Sequence, residues 1–262
     1  MARATPATSQ SLRLPRKLKK DSIVEALWEV RFDSAESNQV PELVVGKLAG
    51  YATWNHFRKT RLPISDIPAM VRQQDPSLRH QATLELREAD GNRLVKIGSN
   101  VFSYHVLSPY CGGAQFQSEI NNAISFIFSD ITGFQANRFG LRYINIMNVA
   151  DHKIRSVTDL NIQIKVADEN LGTPLNLNYR RVRSPRHWSM VRVASPEFIS
   201  GPSNMAMTAL VDVDVLTPPE FTSEDMATAQ SWVREARRYE LEDFWRLIPT
   251  SIQPDLVEEW AT

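Results

Sequence analysis

At 262 residues, with 42% hydrophobic and 23% charged side chains, the chain has the composition of a soluble protein with a real core, as one large domain or two small ones. Thirty basic and thirty acidic residues cancel, so the molecule as a whole has no bulk attraction for polyanions. The single cysteine, Cys111, excludes an intrachain disulfide, and no apolar run reaches the roughly 18 residues of a membrane span, so a cytoplasmic protein is expected.

The neutral total hides an asymmetry. Residues 1–20 carry Arg3, Arg13, Arg16, Lys17, Lys19 and Lys20 and no acid, whereas the stretch from Glu220 onward carries ten acids against four arginines. Residues 1–20 read as a basic, disordered arm, with an acidic end region able to attract it in cis or between subunits.

Ile23 to Phe32 alternates as a half-buried strand, with Val24, Ala26, Trp28, Val30 and Phe32 on one face and Glu25, Leu27, Glu29 and Arg31 on the other. Pro41 opens a predicted helix running to about Phe57. Residues 61–79 contain three prolines and read as loop. Residues 81–89 and 93–107 flank the turn signal Asp90-Gly91-Asn92 and predict a hairpin. A helix over 116–130 and a strand over 137–149 follow. Further strands are predicted at 159–166, 175–183, 187–195 and 206–216, with Ser184-Pro185 as a tight turn. Thr222, with Asp225 three residues later, reads as the capped start of a helix to about Leu247.

The first half thus reads as βαββαβ. The expected fold class is α+β: a ferredoxin-like first half (21–150), continued by further antiparallel strands and a long C-terminal helix (151–262), all one integrated domain. Trp232, Ala236, Tyr239, Phe244 and Leu247 are the expected core contacts of that helix.

Three segments, SIVEALWEVRF (22–32), RFGLRYINIM (138–147) and ALVDVDVL (209–216), with the helix end FWRLIP (244–249), resemble a sporadically distributed family of bacterial proteins of about 250 residues. That family has no assigned function, so it offers no catalytic residue. The resemblance implies a bacterial or phage-related cytosolic protein from a mobile or defence locus.

Candidate chemistry lies first in strand-borne charges. Glu25 and Glu29 share a face with Arg31, Asp212 and Asp214 point the same way as each other, Arg142 sits within 138–147, and Arg180, Arg183 and Arg192 lie on neighbouring strands. In a curled sheet they can line one cavity, where carboxylates bind a cation and arginines clamp phosphate. Such a site is similar to that of triphosphate-tunnel enzymes, although Leu27 stands at the middle position of the first strand and Arg31 replaces the lysine.

The second candidate is a basic hairpin, Arg180, Arg181, Arg183, Arg186, His187 and Arg192 with Tyr179 and Trp188, suited to nucleic-acid contact. The third is Cys111 with His105 six residues earlier. His56, His80, His152 and His187 are scattered, no metal-ligand spacing occurs, and GxSxG, P-loop and GxGxxG motifs are absent. The leading expectation is therefore a non-catalytic protein, without cofactor or metal, acting with a protein partner or as a homodimer in a defence or toxin–antitoxin-like system. A metal-dependent phosphohydrolase or nucleotide-binding enzyme using Glu25, Glu29, Asp212 and Asp214, and a nucleic-acid binder using the 179–192 hairpin, stand as alternatives.

Overall fold

Side-chain alternation builds the centre of the molecule. Ala26, Trp28, Val30 and Phe32 are fully buried, while Glu25, Leu27, Glu29 and Arg31 between them are half-buried. A computed structural model describes residues 12–35, 39–51, 54–89, 91–199 and 206–261. In chain order its elements are β1 (Pro15–Leu18), β2 (Ile23–Asp33), α1 (Val40–Leu48), β3 (Arg58–Arg61), α2 (Ala69–Gln74), β4 (Leu84–Arg87), β5 (Arg93–Gly98), β6 (Val101–Leu107), α3 (Gly113–Asp130) and β7 (Gln135–Met147). There follow α4 (Val149–His152), β8 (Lys165–Val166), β9 (Glu169–Asn170), β10 (Asn176–Ser184), β11 (His187–Ala194), β12 (Ala209–Leu216), α5 (Met226–Leu247), α6 (Gln253–Leu256) and β13 (Val257–Trp260).

Nine strands form one antiparallel sheet in the order β10-β11-β12-β7-β2-β6-β5-β4-β3. The inner quartet β7-β2-β6-β5 interleaves the first and last strands with the middle pair, as the split βαβ plan requires, so the expected α+β class and ferredoxin-like start hold. The later strands extend the same sheet past β7. Helices α1, α3 and α5 bring Val44, Leu48, Phe116, Ile120, Ile124, Ile127, Trp232, Val233, Phe244 and Trp245 to the face that carries Trp28, Phe102, Leu141 and Val213. Each aromatic buried there removes on the order of 150–250 Å² from water, which makes this face the core.

Several element boundaries differ from the sequence expectation. Residues 93–107 are two strands, because Asn100 ends the first. Its side-chain amide donates to the Phe32 carbonyl at 3.0 Å, and its own carbonyl accepts from Phe32 N–H at 3.1 Å. Gly98 approaches the next layer so closely that a Cβ there would meet the Gln81 carbonyl. Helix α1 stops at Leu48, where Gly46 and Gly50 lower helical propensity. Of the expected 159–166 strand only Lys165–Val166 is extended; Asn161 instead closes the end of α5, its side chain donating to the carbonyls of Arg246 and Ile248 at 3.2 and 3.1 Å. Helix α5 is capped by Asp225 rather than Thr222, with both carboxylate oxygens accepting from Ala227 and Thr228 N–H. The bridge Ala136–Ser223 holds the preceding residues extended.

The expected disordered arm is corrected where it is described. Pro15–Leu18 pairs antiparallel with Val257–Trp260, and Arg16 and Lys17 meet Glu259 and Glu258, each at 2.8 Å. The opposite charges at the two ends of the sequence therefore meet within one chain. Residues 1–11 lie outside the described residues.

Candidate functional site on the open sheet face

The face of the sheet turned away from the helices is charged. Strand parity sends Glu25, Leu27, Glu29 and Arg31 from β2, Lys96 from β5, Ser103 and His105 from β6, Arg138, Gly140 and Arg142 from β7, and Asp214 from β12 to that side, where all line one cavity of about 670 Å³. The segment 76–82 forms a wall of it through Pro76, Ser77, His80, Gln81 and Ala82. A volume of this size is within the range of small-molecule sites.

The charges within it are organised. Arg142 binds Asp212 through two hydrogen bonds of 2.8 and 2.6 Å, which holds the guanidinium charged. Arg31 donates to Glu29 at 2.8 Å. Arg138 reaches Asp214 only at 3.7 Å, and its Nε has no hydrogen-bond partner. The Lys96 ammonium makes no hydrogen bond or ion pair among the described residues, and Lys96 sits across the ladder from Ser103. Glu25 is held below the usual carboxylate range, chiefly by the hydrogen bond from His105, with Lys96 and Arg142 adding attraction. Burial pushes the His80 imidazole down, which favours its neutral form.

Asp214 behaves oppositely. Desolvation pushes its carboxyl up to about 6, against the pull of Arg138 and Arg142. A raised acid binds its proton more tightly folded than unfolded, so its contribution makes stability fall as pH rises from the ordinary aspartate range to about 6. Asp214→Asn is expected to flatten that part of the stability–pH curve and to stabilise the protein at pH 7 by about 1–3 kcal/mol. Urea unfolding at pH 4 and pH 7 measures this; equal slopes for variant and wild type would contradict it.

The structure brings together Glu25, Glu29, Arg142 and Asp214 of the sequence candidates. Asp212, next to Asp214 on the same face of β12, is 5% exposed and bonded to Arg142, so it is engaged by an arginine rather than free for a cation. Arg192 lines a neighbouring depression of about 260 Å³ shared with Arg142, Asp212 and Asp214, and donates to Asn176 and to the Phe198 carbonyl. No group of three or more His, Cys, Asp or Glu side chains among the described residues is placed to hold a metal ion.

The basic hairpin is divided by the same parity. Arg180 is exposed and stacks over Trp188 at 4.5 Å on the open face. Arg181 and Arg183 point to the helix face, where Asp243 of α5 accepts from them at 2.5 and 3.1 Å and Glu242 also binds Arg183. Arg186 lies in the turn, and His187 is buried against Trp232. One continuous arginine surface over 180–192 therefore does not form. Cys111 and His105 are also apart: Cys111 lines a second cavity of about 540 Å³ with the start of α3 and Arg237, and burial pushes its thiol up to about 11.

Sequence reasoning passed over Ser103, Lys96, Arg138 and the role of His105. A signal for two of them exists, since Ser103 and His105 alternate with the buried Phe102, Tyr104 and Val106. No helix among the described residues is long and apolar enough to cross a membrane. No protein-family model matches the chain, and no curated protein matches it.

Proposed function

We propose that the protein binds a small acid, carrying carboxylate or phosphate groups, in the charged cavity on the open face of its sheet. The observation that carries this is the imbalance inside the cavity. Its acids are engaged by Arg31, His105 and Arg138, while the Lys96 ammonium has no hydrogen bond or ion pair among the described residues and Arg138 meets Asp214 only at 3.7 Å. An anionic ligand supplies the missing partner for both cations. The charge segregation that favoured an intermolecular partner is met within the chain, which moves the weight of the functional reading to this cavity.

Titration calorimetry with succinate, inorganic phosphate and ADP tests the proposal. At least one should bind, and Lys96→Ala should weaken it about tenfold or more, equivalent to about 1.4 kcal/mol. Absence of binding by all three at millimolar concentration would overturn it.

A second reading is association with a protein partner, in the bacterial, cytoplasmic defence-type setting that the sequence resemblance implies; the association alone draws support from the outer edge of the sheet. Edge strand β10 exposes Val182, and β11 exposes Met190, beside the Arg180–Trp188 stack. Tryptophan and arginine are the residue types that dominate interface hot spots, and an unpaired strand edge accepts another strand. Light scattering of wild type and Val182→Glu distinguishes a self-associating edge from a monomer.

A further inference from the structure

Ser103, His105 and Glu25 form one hydrogen-bonded line along the floor of the cavity. Ser103 and His105 stand two apart on β6 and share a face, with Oγ and Nε2 2.7 Å apart. The other ring nitrogen, Nδ1, lies 2.7 Å from Glu25 Oε1 on β2. Leu27 is directly opposite His105 in the ladder, so Glu25 reaches the ring diagonally.

Chemistry assigns each proton. Glu25, held in its carboxylate form by that hydrogen bond, only accepts. In the neutral ring Nδ1 therefore carries the proton, Nε2 presents its lone pair, and the Ser103 hydroxyl donates to it. A serine hydroxyl aligned on an imidazole that a carboxylate orients is the general arrangement for activating a serine nucleophile. Ser103 and His105 are each 5% exposed, and both still line the cavity. Lys96 is the direct cross-strand neighbour of Ser103, and opposed Cβ atoms in such pairs stand about 4.5–5.5 Å apart. Pairing of β6 with both β2 and β5 uses its backbone N–H groups, so negative charge developing next to Ser103 falls to the Lys96 ammonium.

We infer that Ser103, His105 and Glu25 make this cavity a hydrolytic site for small esters bearing an acid group, with Ser103 as nucleophile, His105 as general base and acid, and Glu25 as positioning residue. The inference rests on the proposed binding of a small acid in the same cavity. Arg138 holds the acid group of the substrate. Ser103 Oγ bonds to the ester carbonyl carbon while its proton passes to Nε2. The carbon–oxygen bond to the alcohol then breaks, and that oxygen takes the proton from Nε2. Water attacks the acyl-serine, gives its proton to Nε2, and the carbon–Oγ bond breaks as Ser103 recovers a proton. The products are one acid and one alcohol.

The test uses the full chain. A fluorophosphonate probe should label wild type at Ser103, with the phosphorus–fluorine bond replaced by phosphorus–oxygen, as mapped by peptide mass spectrometry. 4-Nitrophenyl succinate should turn over at least tenfold faster than 4-nitrophenyl acetate, reflecting the acid group. Ser103→Ala should abolish turnover while keeping succinate binding by calorimetry. Glu25→Gln should lower kcat by about 10²–10⁴ with KM unchanged, a split that a merely structural residue would not produce. No label, or label on another residue, overturns the inference without depending on any variant's folding. Succinate binding without turnover in wild type overturns hydrolysis and leaves the binding proposal standing, whereas absence of succinate, phosphate and ADP binding removes the proposal beneath it.

Discussion

Asp243→Ala is expected to destabilise the protein by about 3–5 kcal/mol, the range for stripping one partner from a buried ion pair. The Asp243 side chain is fully buried on α5, and its Oδ1 accepts from Arg181 and Arg183. Arg183 is itself 9% exposed and packs its guanidinium 4.8 Å from the Tyr239 ring centre. Removing the carboxylate leaves that cation desolvated, with Glu242 its remaining acidic partner. The β10–β11 hairpin would then lose both of its Asp243 ion pairs to the helix layer and keep the one to Glu242. Glu259→Ala is the internal comparison: its pair with Arg16 is solvent-exposed, 50% and 69% on the two sides, and should cost less than about 1 kcal/mol. Urea unfolding of both variants with unchanged m values measures the contrast. Similar small losses in the two would mean that the arginines of β10 are not committed to α5, and would return them to the pool of ligand-facing charges.

The second large effect separates two adjacent residues. Trp28→Ala should cost about 3–5 kcal/mol, because Trp28 is wholly buried between sheet and helices and contacts Phe102 at a ring distance of 6.3 Å. Leu27→Ala, one step along β2, should cost under about 1.5 kcal/mol, because Leu27 is half-buried and lines the charged cavity. The ratio matters more than either value. A strand read in the wrong register would exchange the two residues between faces. Thermal or urea unfolding giving equal losses would show that β2 does not present one apolar and one polar side.

What was legible in the sequence is local. Alternation in 23–32, the turn at Ser184-Pro185 and the helical spacing of Trp232, Ala236 and Phe244 each depend on near neighbours, and each corresponds to an observed element. Gly98-Ser99-Asn100 was also legible as a turn, but the stronger signal at Asp90-Gly91-Asn92 obscured it; Asp90 lies outside the described residues. The parity that separates Arg180 from Arg181 and Arg183 was present too. It could not be used without knowing which face α5 covers. The Glu25–His105 hydrogen bond joins residues 80 positions apart, and its existence depends on β2 and β6 being sheet neighbours in one particular register. Nothing near either residue encodes that pairing. The same holds for the cavity wall, since residues 76–79 read as the end of a proline-containing loop and 81–82 as the start of a strand, and they acquire meaning only where Gln81 folds against Gly98.

An NMR titration of the ¹⁵N-labelled chain with succinate tests whether the charged face of the sheet binds a small acid. Amide shifts should cluster at Lys96, Ser103, His105, Arg138 and Arg142, leaving the 184–187 turn and the α3 start unmoved. Shifts confined to β10 and β11, or to the cavity that contains Cys111, would contradict it.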